Sequence, residues 1–348
     1  MWQSYLKISR LTLVFILLTT SLACPDPWEA LRLPDGKIIG GASKPLTLRN
    51  ESSHDKRWMQ MVPGRFGYGD LWPGGTIIYC MGASITGAAD RTDMRLSLQA
   101  AWKLWVDAGI DPNVQDFREG TVGDCSSPGN GALTVEISSD GTMHSNYGRY
   151  SDGSVMVLIP RNDVGMGDKI ANYAHEIGHA FGLLHEHQRP DVWTAEYGGT
   201  AVTPSFFFNC QNLKDFAALE ATRGAKSAGE ACQSYSKAIE FEFSASHFLP
   251  EPRDESGVAG GPLDLKSIMI YPSRAGGINP GTTPATGRLV YTLWDGTEIL
   301  PRFVPSQFDV KNMKSLYPAT APQTTPCFAF QACSPFQHMF NQVVGCRR

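Results

Sequence analysis

The chain has 348 residues, a formal net charge of −4 and 42% apolar residues, enough to bury a core in one large domain or two small ones. Charges of both signs are mixed without a long run, so neither nucleic acid nor an anionic membrane surface is an expected partner. Composition leaves the oligomeric state open.

Lys7 and Arg10 precede an apolar stretch from Leu11 to Leu22, too short to span a bilayer comfortably, and Ser21-Leu22-Ala23 offers small residues for cleavage. Residues 1–23 are therefore expected to be a signal peptide, the protein to be secreted, and no membrane contact to remain after its removal. The chain carries 8 cysteines (Cys24, Cys80, Cys125, Cys210, Cys232, Cys327, Cys333 and Cys346) and no CxxC pair. Export then favours disulfides over a thiolate metal site, with Cys210–Cys232, which brackets a loop-like insertion, the first pairing to expect.

Residues 24–69, rich in Pro, Gly and charge, read as a prosegment or lead-in. They contain an N-glycosylation acceptor at Asn50-Glu51-Ser52. Lys56-Arg57 reads as a processing site or an ordinary surface pair. Regular structure is expected from about Leu71, with a strand over Thr76 to Cys80. A helix is marked by Met94, Leu98, Ala101, Trp102 and Trp105 and stopped by Gly109. Leu133 to Ser138 and Val155 to Ile159 read as strands. A second helix is capped by Asp168 and ends at Gly182. Residues 198–262 show little regularity, with 251–261 read as loop. A last helix is expected over Ser306 to Tyr317, followed by a cysteine-containing tail over 319–348.

The chemistry is concentrated in His175-Glu176-Ile177-Gly178-His179-Ala180-Phe181-Gly182-Leu183-Leu184-His185. Residues four apart share a helix face, so His175 and His179 can aim at one ion. Glu176 lies one step round, beside the open coordination position, where a carboxylate can take a proton from bound water. Gly182 lets the chain turn out of the helix, and His185 completes three protein ligands. Three ligands and an open position mark a catalytic zinc site rather than a structural one. By chance, the five fixed letters meet at a rate on the order of 10⁻⁵ per chain of this composition. His54, His187, His247 and His338 lack metal-ligand spacing and read as surface or structural histidines.

The HExxHxxGxxH string resembles the metzincin clan of zinc peptidases, and the following Glu186-His187-Gln188-Arg189-Pro190-Asp191 resembles the HExxRxD extension of the astacin family. Ser267-Ile268-Met269-Ile270-Tyr271 is similar to that family's Met-turn. Pro305 to Asp309 and Leu316-Tyr317-Pro318 resemble its closing helix, and Leu71-Trp72-Pro73-Gly74-Gly75 its domain start. The resemblance covers residues 70–318. It implies that Met269 is a floor beneath the ligands, and that Tyr271 binds zinc at rest and swings away to stabilise the oxyanion. It further implies that Glu186 fastens the N-terminus freed by loss of the prosegment, and that His144 to Arg149 pairs with substrate backbone. Ile270 stands where the family usually has His, the insertion over 198–261 is longer than usual, and the cysteine spacing is not the family's.

The fold class expected is α+β: a two-lobed, metzincin-like zinc peptidase domain with a mixed twisted sheet and an active-site helix along the cleft. The function expected is hydrolysis of peptide bonds in protein or peptide substrates, with Zn²⁺ as cofactor and Glu176 as the base. The alternative is a secreted, non-catalytic binding protein of the same fold, against which the presence of Glu176 speaks.

Overall fold

The computed structural model describes residues 59–64, 68–126, 131–139, 141–251, 256–258, 262–279 and 286–318, and two short paired strands, β1 (Leu31–Arg32) and β2 (Ile38–Ile39). The expected signal peptide, the glycosylation acceptor, Lys56-Arg57, the C-terminal tail, His54 and His338 lie outside the described residues.

After β3 (Met59–Met61), the first lobe is built on a five-stranded sheet. Its strands are β4 (Thr76–Met81), β5 (Asp116–Glu119), β6 (Leu133–Ile137), β7 (His144–Ser145) and β8 (Ser154–Leu158), in the order β5-β4-β6-β8-β7. The pairings β4–β5, β4–β6 and β6–β8 are parallel, and β7 lies antiparallel to β8 at the sheet's end, so the sheet is mixed and the fold is α+β. Ile77 and Tyr79 of β4 and Leu133 and Val135 of β6 point to one buried face at period two.

Two long helices cover that face. Helix α1 (Ala88–Ala108) buries Met94, Leu98, Ala101, Trp102 and Trp105, the stripe that its spacing predicts, and ends at Gly109 with φ 121°. A short helix, α2 (Val122–Cys125), follows β5 and is tied to β4 by the disulfide Cys80–Cys125. Helix α3 (Lys169–Ala180) is capped by Asp168, which accepts from Ala171 N at 2.8 Å. Rings pack within and between the layers: Tyr79 of β4 stacks on Phe117 of β5 at 4.8 Å, Trp102 of α1 reaches Phe117 at 6.3 Å, and Trp102 stacks on Phe181 at the end of α3 at 5.4 Å.

The second lobe follows α3. It contains β9 (Phe206–Phe208), α4 (Phe216–Arg223), α5 (Ala225–Ala231), α6 (Tyr235–Glu240), β10 (Ser256–Val258), β11 (Tyr291–Leu293) and α7 (Gln307–Leu316). The insertion over 198–261 is thus more regular than its sequence suggests. Its helices have 8, 7 and 6 residues, too few periodic positions to declare themselves. The disulfide Cys210–Cys232 closes it, as expected.

Within the stretch read as loop, Ser256–Val258 forms a strand because a distant segment, β3, pairs with it. The last residues of the lead-in therefore pack into the domain. Met61 N donates to Gly182 O at 2.9 Å, Gly69 N donates to Tyr147 O at 2.9 Å, and Asp70 exchanges two 2.8 Å hydrogen bonds with Arg149. Met61 is buried where Gly148 and Gly182 lack side chains; a Cβ on either would lie 2.6 or 2.8 Å from its Cε atom. At the domain start, the Trp72 indole N–H donates to Ala180 O at 2.7 Å, satisfying a carbonyl at the C-terminal end of α3.

Candidate metal centre

Helix α3 holds His175 and His179 one turn apart on its buried face, and the chain leaves the helix at Gly182, whose φ of 99° suits glycine. The turn back brings His185 to the same point. The Nε2 atom of His179 lies 3.0 Å from that of His175 and 3.2 Å from that of His185. All three rings are buried, and among the described residues this is the one cluster of His, Cys, Asp or Glu that converges so.

The far side of each ring fixes its protonation. His175 Nδ1 lies 2.7 Å from Ile268 O, His179 Nδ1 lies 2.7 Å from Leu183 O, and His185 Nδ1 lies 2.7 Å from Gln188 Oε1. These oxygens can only accept, so each Nδ1 carries the proton and each Nε2 keeps a lone pair directed at the other two. Lone pairs this close, with His179 Nε2 about 3 Å from the other two and all three within 4.8 Å, repel one another unless a cation sits among them. Tetrahedral zinc, with Zn–N bonds of about 2.0–2.1 Å, spaces its ligands by about 3.3 Å, and the donor set fits it.

Beneath the ligands runs the segment from Ser267 to Tyr271. Ser267 Oγ and Ile268 N donate to the two carboxylate oxygens of Asp309 in α7, at 2.6 and 2.8 Å. Asp309 thereby fixes Ile268, the residue whose carbonyl orients His175. Burial pushes the Asp309 carboxyl up to about 6, with its Ser267, Ser306 and Ile268 donors opposing the shift. Met269 packs against Gly178 of α3, where a Cβ would lie 2.6 Å from its sulfur, and its carbonyl accepts from Glu186 N at 3.0 Å.

Glu176 is fully buried on α3 beside the first ligand, and Tyr271 is fully buried beside the third. The Tyr271 ring centre is 4.6 Å from that of His185 and 6.2 Å from that of His175. The fold thus brings His175, His179, His185 and Tyr271 together, and it buries Glu176 next to His175 on α3. Glu186 accepts from Arg189 at 2.6 Å and from Asp264 N at 2.9 Å, while Arg189 also grips Asp191. Burial pushes the Glu186 carboxyl up to about 7, against the pull of Arg189 and the Asp264 N–H.

His187 and His247, read as surface or structural, are both buried. The His187 ring lies 4.5 Å from that of Tyr271; its Nε2–H donates to His247 O at 2.9 Å, and its Nδ1 accepts from Tyr271 N at 3.3 Å. Sequence reasoning missed this shelf under Tyr271, along with the orienting roles of Gln188 and Asp309. The Gln188 position lies three residues past the last ligand, near enough to raise suspicion; Asp309 carries no such signal.

No family model matches the chain. Among curated proteins, it is 30% identical to Tolloid-like protein 2 of Mus musculus over 124 residues, which is 35% of this chain and 10% of that protein. It is 28% identical to the Homo sapiens protein of the same name over 129 residues. The chain therefore spans about a tenth of the length of the curated relatives it matches, 10% in each case. Solved structures are similar as well. High choriolytic enzyme 1, a hatching enzyme zinc-protease from Oryzias latipes, has a TM-score of 0.45 at 16% identity, covering 74% of this chain and 98% of that one. Myroilysin has a TM-score of 0.41 at 17% identity, covering 72% and 97%. The chain resembles the astacin-type zinc proteases. The motifs that carry this resemblance are tied to one another in the fold, Trp72 to Ala180 and Tyr317, and Asp309 to Ser267 and Ile268.

Proposed function

We propose that the protein is a secreted zinc-dependent metalloendopeptidase that hydrolyses peptide bonds in proteins. The observation carrying this reading is the convergence of three buried histidine ring nitrogens, with a buried glutamate, Glu176, directly following the first of them on the same helix. His175, His179 and His185 would hold the metal, with Tyr271 joining them at rest. Zinc, when bound, supplies a Lewis acid that acidifies water and polarises a carbonyl.

The chain's own groups do the rest. Glu176 takes the proton from the attacking water and later hands it to the leaving amine. Tyr271, with its ring beside His185, turns its phenol to the oxyanion and donates a hydrogen bond where negative charge develops. Met269 keeps the ligands from sinking, and Asp309 holds Ile268, whose carbonyl orients His175. Substrate lies extended along the outer edge of β7. Gly69 and Asp70 already take backbone groups of Tyr147 and Arg149, which narrows the expected substrate strand to the residues before Tyr147.

Export is supported by the apolar N-terminal stretch and by two disulfides; no helix among the described residues is long and apolar enough to cross a membrane. We further read the full-length chain as a precursor. All five site residues are buried in it, and β1 of the lead-in lies close to β7. Because β3 is built into the domain, the activating cut falls before Met59, where Lys56-Arg57 offers a basic site, and the residues from Met59 onward remain.

The deciding experiment is Glu176→Gln, assayed for zinc content and for casein cleavage after removal of the lead-in. Zinc should stay bound while hydrolysis falls about 10²–10⁴-fold. A variant keeping more than about a tenth of the rate contradicts the base assignment. Wild-type protein that binds zinc but leaves casein intact in every processed form points to the non-catalytic alternative.

A further inference from the structure

Gln188 is a residue to which neither the metal motif nor the family resemblance gives a task. Its side chain is buried, and its hydrogen bonds leave the amide one orientation. Nε2 donates to Ser246 O and to Leu249 O, each at 3.0 Å. Two carbonyls can only accept, so the nitrogen end faces them and Oε1 faces His185, 2.7 Å from Nδ1. The main chain is clasped by the same segment, for Glu251 N donates to Gln188 O at 3.0 Å.

The three ligands are not held alike. His175 and His179 are oriented by backbone carbonyls, of Ile268 and Leu183, which the fold provides whatever their side chains are. The oxygen that orients His185 belongs to a side chain, which keeps its direction only because carbonyls at the end of the insertion pin its other half. We propose that Gln188 is a positioning residue for the metal: it fixes His185 with the proton on Nδ1 and aims Nε2 at the ion, and the insertion over 198–261 acts on the metal site through it. This inference rests on reading the three histidines as a zinc site.

Partners of this kind typically change metal affinity about 10–100-fold when removed. Gln188→Met keeps length and approximate volume but has neither acceptor nor donor, and should raise the zinc dissociation constant about 10–100-fold. Gln188→Glu keeps an oxygen that can accept from Nδ1–H at the same place. It should stay within about threefold of wild type, well inside the loss expected when the acceptor is removed.

Affinity is measured on the purified full chain by competition with a chromophoric chelator. Long-range ¹H–¹⁵N spectra of zinc-free wild-type protein read the His185 tautomer directly. Support requires the Nδ1–H form in wild type, weakened binding in Gln188→Met and rescue in Gln188→Glu. Equal affinities for wild type and Gln188→Met overturn the proposal, and so does equal loss in both variants, which makes Gln188 an anchor of the insertion only. If Gln188→Met does not fold, the wild-type spectrum decides, and an Nε2–H form of His185 overturns the proposal. Failure of wild type to bind zinc at all is a different result, one that removes the metallopeptidase reading beneath it.

Discussion

Gly178 sits in the middle of α3, between the first two ligands, where helix propensity alone condemns it: alanine is better by about 1 kcal/mol in a helix interior. The structure predicts the opposite sign for Gly178→Ala. An added Cβ would lie 2.6 Å from Met269 Sδ, 3.2 Å from Met269 Cε and 3.1 Å from Trp105 Cζ2. Comfortable carbon contacts begin at about 3.5 Å, so the sulfur must retreat by about 1 Å and the indole by a few tenths. The indole is anchored, since its N–H donates to Ala174 O at 2.9 Å. Met269 is itself buried, so its thioether has no solvent side into which to turn. Overpacking of this kind costs about 1–3 kcal/mol, which offsets the propensity gain and leaves Gly178→Ala less stable by about 1 kcal/mol. Urea unfolding of zinc-stripped proteins measures it without the contribution of bound metal. The sharper assay is a cycle with Met269→Ala, which clears the space; there Gly178→Ala should become stabilising, a coupling of about 2 kcal/mol. If Gly178→Ala stabilises the wild-type background by about 1 kcal/mol, or the cycle shows no coupling, the packing account of this glycine is wrong.

Two truncations separate the lead-in from the domain. Removing residues 1–57 should raise casein hydrolysis while the domain stays folded, whereas removing 1–70 should lose about 2–5 kcal/mol of stability through the vacated Met61 site alone; equal unfolding midpoints for the two forms would show that β3 is not part of the domain. Asp309→Asn should change how stability depends on pH. The wild-type carboxyl titrates at about 6 in the fold and at about 3.9 unfolded, so its contribution is fully present below about pH 4 and lost as pH rises through about 6, a change of about 3 kcal/mol. The variant should therefore gain on wild type by up to that amount, about 3 kcal/mol, between pH 4 and 6.5. A stability difference that is flat across this window, measured by urea unfolding at each pH, would show that burial does not displace Asp309.

Legibility in this chain follows the distance over which a signal is written. The metal ligands could be read because helical periodicity, a glycine exit and a short return place all three within eleven consecutive residues, and coordination chemistry needs no other context to recognise them. Helix α1 and strands β4, β6 and β8 could be read for the same reason: their burial patterns are local and long enough to repeat. What could not be read is written in pairs of distant segments. Ser256–Val258 is a strand because Met59–Met61 lies beside it, and no property of either triplet foretells the other. Asp309 looks like an ordinary helix-capping residue, and it does cap Ser306 N at 2.8 Å; its hold on Ile268, whose carbonyl orients His175, exists only once α7 docks under the site. Gln188 lies between these cases. Its contact with His185 is local, but its orientation is decided by two carbonyls about sixty residues away, at |i−j| of 58 and 61. An amide side chain can present either end to a histidine, and only the far contacts make it an acceptor here. The identity of the site is thus inscribed locally, whereas the proton positions on which its metal affinity depends are set by the tertiary fold.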